Sequence, residues 1–152
     1  METLQRVLIE HPFFVDLPTR HRELVVGCAS NARFQAGEFI FREGEDAEKF
    51  YLIREGKVAL SIKSERRGPL NILTLGEGDI LGWSWLFPPY RWKFSAKTIE
   101  AIRAFAMDGH CLRDKAEQDH DLGYELLRRF ARIVETRFET MRLQLANVYA
   151  DK

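Results

Sequence analysis

The spacing of apolar residues changes twice along the chain and divides it into three parts. Leu4, Val7 and Leu8 recur at helical intervals and predict a short amphipathic helix over residues 2–10, ending before Pro12. An apolar hinge occupies 13–18, and Thr19 can then cap a second helix reaching about Ser30, with Leu24, Val25 and Cys28 on one face. From Arg33 the rhythm shortens. Phe34, Phe39, Phe41, Phe50, Leu52 and Ile53 stand in brief runs punctuated by Gly37, Gly44 and Gly56. Residues 50–62 read as two strands joined by a turn at 54–57, residues 71–75 as another, and 94–107 as the close of the β portion. Short strands with glycine turns at such intervals predict an antiparallel sandwich or roll.

The helical rhythm returns near the end, with a short helix over 111–117 and a long one from about Leu122. Leu127, Phe130, Val134, Phe138, Met141, Leu145 and Val148 follow intervals close to a coiled-coil seam. A helix of roughly 25 residues is ~38 Å long, more than a small β-domain is wide. Part of that seam therefore needs a cover beyond its own roll. A homodimer through Leu127, Phe130, Val134, Phe138, Met141 and Leu145 is the simplest expectation; the alternative is a helix folded back on its own domain. Arg128, Arg129, Arg132, Arg137 and Arg142 alternate with Glu125, Glu135 and Glu139 and read as a solvated face with i,i+4 pairs. The expected fold class is mainly β: an antiparallel, jelly-roll-like β-roll with flanking helices. It forms one domain, with helices in 1–32, the roll in 33–108 and helices again in 110–152.

Composition narrows the partners. The 152 residues carry 23 basic and 23 acidic side chains, for a net charge of zero. A general nucleic-acid binder needs a net or clustered positive surface, so direct nucleic-acid binding is not expected. No apolar run approaches the ~18 residues of a membrane span, and the polar start lacks the apolar core of a signal peptide. A cytoplasmic protein without a membrane partner is the expectation. Its two cysteines, Cys28 and Cys111, stand far apart and in no C-x-x-C, which in that compartment reads as two free thiols.

The chemistry concentrates in residues 83–94, which hold all three tryptophans, adjacent prolines and one guanidinium, Arg91. Adjacent prolines fit neither a helix interior nor a central strand. An aromatic-rich turn between strands is predicted, with one short helical turn before Pro88. It is either a ligand site or a plug for the core. Enzyme chemistry is not expected. His11, His21, His110 and His120 all lie outside 34–107, so the β portion offers no imidazole for a metal. Ser84 stands in no G-x-S-x-G elbow, and Gly76-Glu77-Gly78-Asp79 resembles a phosphate loop but lacks the following Lys-Ser/Thr. No catalytic residue and no metal site are assigned.

Residues 39–60, from Phe39-Ile-Phe-Arg-Glu-Gly to Gly56-Lys-Val-Ala-Leu60, resemble the opening β-roll of the cyclic-nucleotide-binding domains. These include the sensor halves of the Crp/Fnr bacterial regulators. Residues 75–82, Leu-Gly-Glu-Gly-Asp-Ile-Leu-Gly, are similar to the lead-in of that family's phosphate-binding cassette. The spacing of Gly44, Tyr51, Gly56, Gly78, Asp79 and Gly82 carries the resemblance, which spans nearly the whole chain. It implies a regulatory domain that binds cAMP or cGMP and dimerises through its last helix. In the transcription-factor branch that helix leads into a DNA-binding domain. Here the chain stops at Lys152, so the expectation is a stand-alone or excised sensor with no DNA-binding domain.

In the family, backbone N–H groups at a short helix receive the phosphate, a carboxylate just after the glycine takes the ribose hydroxyl, and an arginine grips the phosphate. Gly82 matches. Trp83 stands where the carboxylate is expected, with Ser84 next. Arg91 is the candidate phosphate partner but precedes Trp92 and Lys93 instead of two small residues, and a deletion in the alignment lets Tyr90 hold that position. The candidate ligand contacts are Gly82, Trp83, Ser84, Trp85, Arg91, Trp92 and Lys93. Loss of the hydroxyl's acceptor costs roughly 1–3 kcal/mol, so the cassette is divergent. The expected function is sensing of a cyclic nucleotide or related small anion, signalled through the helix dimer. The alternatives are a ligand-free adaptor for a protein partner and the sensor half of a Crp/Fnr-type regulator.

Overall fold

A computed structural model describes residues 4–150. Two helices open it, α1 (Leu4–Ile9) and α2 (Thr19–Val26). Eight strands follow: β1 (Ala29–Phe34), β2 (Phe39–Phe41), β3 (Lys49–Glu55), β4 (Val58–Ile62), β5 (Leu70–Leu75), β6 (Ile80–Leu81), β7 (Ser95–Thr98) and β8 (Ile102–Asp108). Helices α3 (Gly109–Gln118) and α4 (His120–Ala150) close the chain. The strands form two antiparallel sheets, ordered β1-β8-β3-β6 and β2-β7-β4-β5. This is the expected β-roll with flanking helices.

Some boundaries differ from the expectation. The second helix stops at Val26 instead of about Ser30, and the β portion begins at Ala29, ahead of Arg33. β1 is an edge strand paired with β8 alone, and most of its residues are half-exposed or exposed, so it lacks a strand's apolar alternation. The turn at 54–57 is present, but it does not join a hairpin: β3 belongs to one sheet and β4 to the other. Gly56 makes the change of sheet at φ +100°, where an added Cβ would stand 2.2 Å from the Ala101 carbonyl oxygen. α4 runs 31 residues. Cys28 and Cys111 are disulfide-bonded, with Cα atoms 5.7 Å apart, which corrects the reading of two free thiols.

The core joins all three parts. Phe13 of the hinge, Phe50 of β3 and Phe130 of α4 meet, with centroids of Phe13–Phe130 5.0 Å and Phe50–Phe130 5.4 Å apart. Beside them His11 is buried, bonded through Nε2 to the Ile53 carbonyl and accepting the Phe13 N–H on Nδ1. Burial lowers its pKa from 6.5, against weaker opposing contributions from the Ile53 hydrogen bond and the charge of Asp79. The folded state thus prefers the neutral ring. Below 6.5 the unfolded chain binds more protons, so stability falls as pH drops through 6.5 toward the folded value. A melting-temperature series from about pH 7.5 to 5 is expected to slope downward, and His11→Gln to flatten that slope.

Candidate functional site

Residues 75–94 cross from one sheet to the other over the end of the roll. The turn before β6 is tied by Gly78 N–H to the Ile53 carbonyl (3.0 Å), by Ile53 N–H to the Asp79 carbonyl (2.9 Å), and by Gly76 N–H to the Asp79 carboxylate (2.8 Å). Gly82 follows at φ +97°. An added Cβ there would lie 2.5 Å from the Trp92 indole, so only glycine lets the ring approach. A 3-10 turn, Ser84–Leu86, precedes the proline pair, as the sequence led one to expect.

The three tryptophans take different places. Trp85 is fully buried, stacked on Phe50 at 4.8 Å and edge-on to Phe130 at 5.5 Å. Trp92 is buried and stacks on Phe41 at 3.7 Å while lying against Gly82. Trp83 is half-buried, edge-on to Phe94 at 6.1 Å. Ser84 is buried beside them. Plug and site readings thus divide the segment: Trp85 and Trp92 belong to the core, Trp83 to its boundary.

The two cations point elsewhere. Residues 90–92 are zipped to the 44–47 loop by backbone bonds, including Ala47 N–H to the Tyr90 carbonyl (2.7 Å) and Trp92 N–H to the Glu45 carbonyl (2.9 Å). Arg91 therefore projects outward, bonded to the Gly44 carbonyl at 3.1 Å and paired with Asp46 at 3.3 Å. Lys93 is exposed. Trp92 is brought against Gly82, while Trp83, Ser84 and Trp85 follow Gly82 in the chain and turn to other neighbours; Arg91 and Lys93 stay at the surface. Tyr90 turns inward beneath Arg113, whose guanidinium carbon is 4.2 Å from the ring centroid and which donates to the Trp85 carbonyl.

Sequence reading missed the cassette's link to α4. Arg137 was grouped with a solvated face, yet it is only 8 % exposed. It donates to the Ile80 carbonyl, and its guanidinium carbon sits 5.2 Å from the Trp83 ring centroid. The signal lay in the spacing: Leu122, Leu126, Phe130, Ile133 and Arg137 form one row at intervals of four and three. The first three and Arg137 are buried, and Ile133 packs on the core. Phe130 lies on this inward row, 2 % exposed, and not on an outward seam. Leu127 (48 %), Val134, Phe138 (67 %) and Leu145 do face outward, and Met141 is half-exposed. Other α4 charges do pair along the helix, but at i,i+3 more often than the expected i,i+4: Arg128 with Glu125 at 3.0 Å and Arg142 with Glu139 at 2.7 Å are i,i+3, and Arg129 with Glu125 at 3.4 Å is i,i+4.

Among the described residues, no group of three or more His, Cys, Asp and Glu side chains is placed to hold a metal ion. No helix among them is long and apolar enough to cross a membrane.

A two-sheet roll with a glycine-led cassette resting on a long last helix defines a ligand-sensing regulatory class. Residues 32–119 match the family described as the cyclic nucleotide-binding domain, and the chain belongs to that family. It is similar to the "CRP-like cAMP-activated global transcriptional regulator" of Mycobacterium tuberculosis, 35 % identical over 100 residues, covering 65 % of this chain and 44 % of that one. The chain spans less than half the length of that relative. Among solved structures it resembles a putative cyclic nucleotide-binding protein from Geobacter metallireducens, with a TM-score of 0.80, 26 % identity, and coverage of 90 % and 99 % of the two chains. The catabolite activator protein of Thermus thermophilus shares the fold, at a TM-score of 0.71 and 20 % identity, over 91 % of this chain and 63 % of its own.

Proposed function

We propose that this domain binds a cyclic nucleotide, cAMP or cGMP, or a related small anion at residues 82–93. Two copies pair through α4, and ligand capture changes how the roll holds that helix. The observation that carries this reading is the direct contact between cassette and helix: Trp83 under Arg137, and Trp85 against Phe130. A ligand that shifts either tryptophan must shift the helix too, which is the differential contact that coupling requires. Arg91 is the phosphate partner in this reading, exchanging Asp46 for the ligand, with Lys93 beside it. The outward row Leu127, Val134, Phe138 and Leu145 is the pairing surface. The work is regulatory and not catalytic, and its setting is the cytoplasm. Joined to a DNA-binding domain, the chain would serve as the sensor half of a regulator like its M. tuberculosis relative.

One observation favours a second reading. The Trp92 indole fills the space against Gly82 that a phosphate would need, as suits a ligand-free domain acting on a protein partner. Calorimetric titration with cAMP and cGMP decides between them. Binding is expected, weakened about tenfold or more by Arg91→Ala, the loss of one charge-assisted pair. Absence of heat with the unaltered protein at millimolar nucleotide would overturn the sensor reading and leave the adaptor.

A further inference from the structure

Outside the cassette, a cleft of about 310 Å³ opens between the N-terminal hinge, the turn before β6 and α4. One wall carries Arg129, Arg132 and Arg137; Asp79 faces them, and Pro12 and Ile80 supply apolar surface. Arg137 is more than nine-tenths buried, and its Nη1 has no hydrogen-bond partner among the described residues. Burial lowers its pKa to about 10, with the charge of Asp79 opposing, so the group stays cationic where solvent scarcely reaches. A buried cation with an unmet N–H is costly unless something supplies the missing acceptor. Arg129 directs Nη1 to the carbonyls of Phe13 (2.5 Å) and Val15 (3.0 Å) and Nε toward Glu125 at 3.4 Å. Arg132 is exposed, with no side-chain partner among the described residues.

Three guanidinium groups against one carboxylate, around a cleft large enough for a small molecule, fit an oxyanion. Guanidinium forks match phosphate oxygens in pairs. We propose that this cleft is a second ligand site, distinct from the cassette, for a phosphate group, free or carried as a small monoester. Arg137 and Arg132 grip the oxygens, and Asp79 accepts a hydrogen bond from the P–OH of a monoprotonated phosphate or from a neighbouring hydroxyl. The site stays open in a dimer. At about 100° per residue, Arg129, Arg132 and Thr136 lie roughly 120–180° around α4 from the outward row of Leu127, Val134, Phe138 and Leu145, and the buried Arg137 lies about 80° from it on the side facing the roll. Because Arg137 also holds Ile80 and lies over Trp83, an anion here would alter the grip of α4 on the cassette.

The test is a thermal-shift and tryptophan-fluorescence titration of the whole chain with inorganic phosphate and with glycerol 3-phosphate, against chloride at equal ionic strength. A saturable response in the low-millimolar range or tighter is expected; response to phosphate alone assigns the free ion, and to the ester alone the monoester. Arg132→Ala, at an exposed position, should weaken it about fivefold or more. Arg137→Met should abolish it; because that change also removes the donor to the Ile80 carbonyl, its binding is read at a temperature well below its own ligand-free melting point, and Arg132→Ala is the variant that leaves the packing untouched. Arg91→Ala should leave it unchanged, which separates this site from the cassette. No saturable response to either probe at about 10 mM, or one that Arg132→Ala and Arg137→Met both leave intact, overturns the proposal.

Discussion

Trp85→Ala lowers the free energy of unfolding by about 3–5 kcal/mol, the range for removing a large aromatic from a core that cannot collapse around the gap. Trp85 is fully buried between the stacked Phe50 and the edge of Phe130, and Phe130 in turn touches Phe13. Its loss thus strips one side from the joint of hinge, β3 and α4 at once. Trp85→Phe separates volume from polarity. The indole Nε1 has no hydrogen-bond partner among the described residues, so phenylalanine removes an unmet donor while keeping most of the ring. Its loss should be under about 1.5 kcal/mol. Urea denaturation of the three proteins measures both differences. A loss for Trp85→Ala near that of a surface change, about 0.5 kcal/mol, would mean that cassette and helix are not packed as described.

The fold was legible because backbone demands show in the sequence. Gly56 and Gly82 stand at φ +100° and +97°, conformations that glycine alone tolerates well, and each marks a change of direction. The apolar run from Phe50 to Ile53, closed by the turn at Gly56, marked β3, whose two faces differ in burial. β1 stayed hidden, since an edge strand reading Ala-Ser-Asn-Ala-Arg-Phe has little to bury. For α4, two apolar rows one position apart compete: 127, 134, 138 and 145 outward, and 122, 126, 130, 133 and 137 inward. The sequence read as one seam because Phe130 joins either row at the allowed spacing. A formal charge at 137 argued against burial, and only packing reveals that the inward row continues through it. For the site, residue types predicted an anion's partners, but direction was invisible. The zipping of 90–92 onto the 44–47 loop turns Arg91 outward, and that pairing is set by tertiary structure.

The Cys28–Cys111 bond was also beyond spacing arguments, since its ends lie 83 residues apart. Reducing it is expected to lower the free energy of unfolding by about 2–4 kcal/mol, because the cross-link closes a long loop in the unfolded chain. The bond joins Cys28, in the turn between α2 and β1, to the first turn of α3, so all eight strands lie inside that loop. A second tie lies nearby: the Lys115 ammonium donates to the Leu24 carbonyl at 2.6 Å. The native contact between α2 and α3 therefore persists on reduction, and the change falls mainly on the unfolded state. Urea unfolding with and without dithiothreitol measures the effect, and the Cys28→Ser, Cys111→Ser pair provides the control. The serine pair should match the reduced protein and ignore the reductant. Equal midpoints for oxidised and reduced wild type would mean that the thiols stay unbonded in solution. Under reducing conditions the same chemistry makes the bond conditional. α3 leads directly into α4, so the bond fixes the start of the long helix to the opening of the roll.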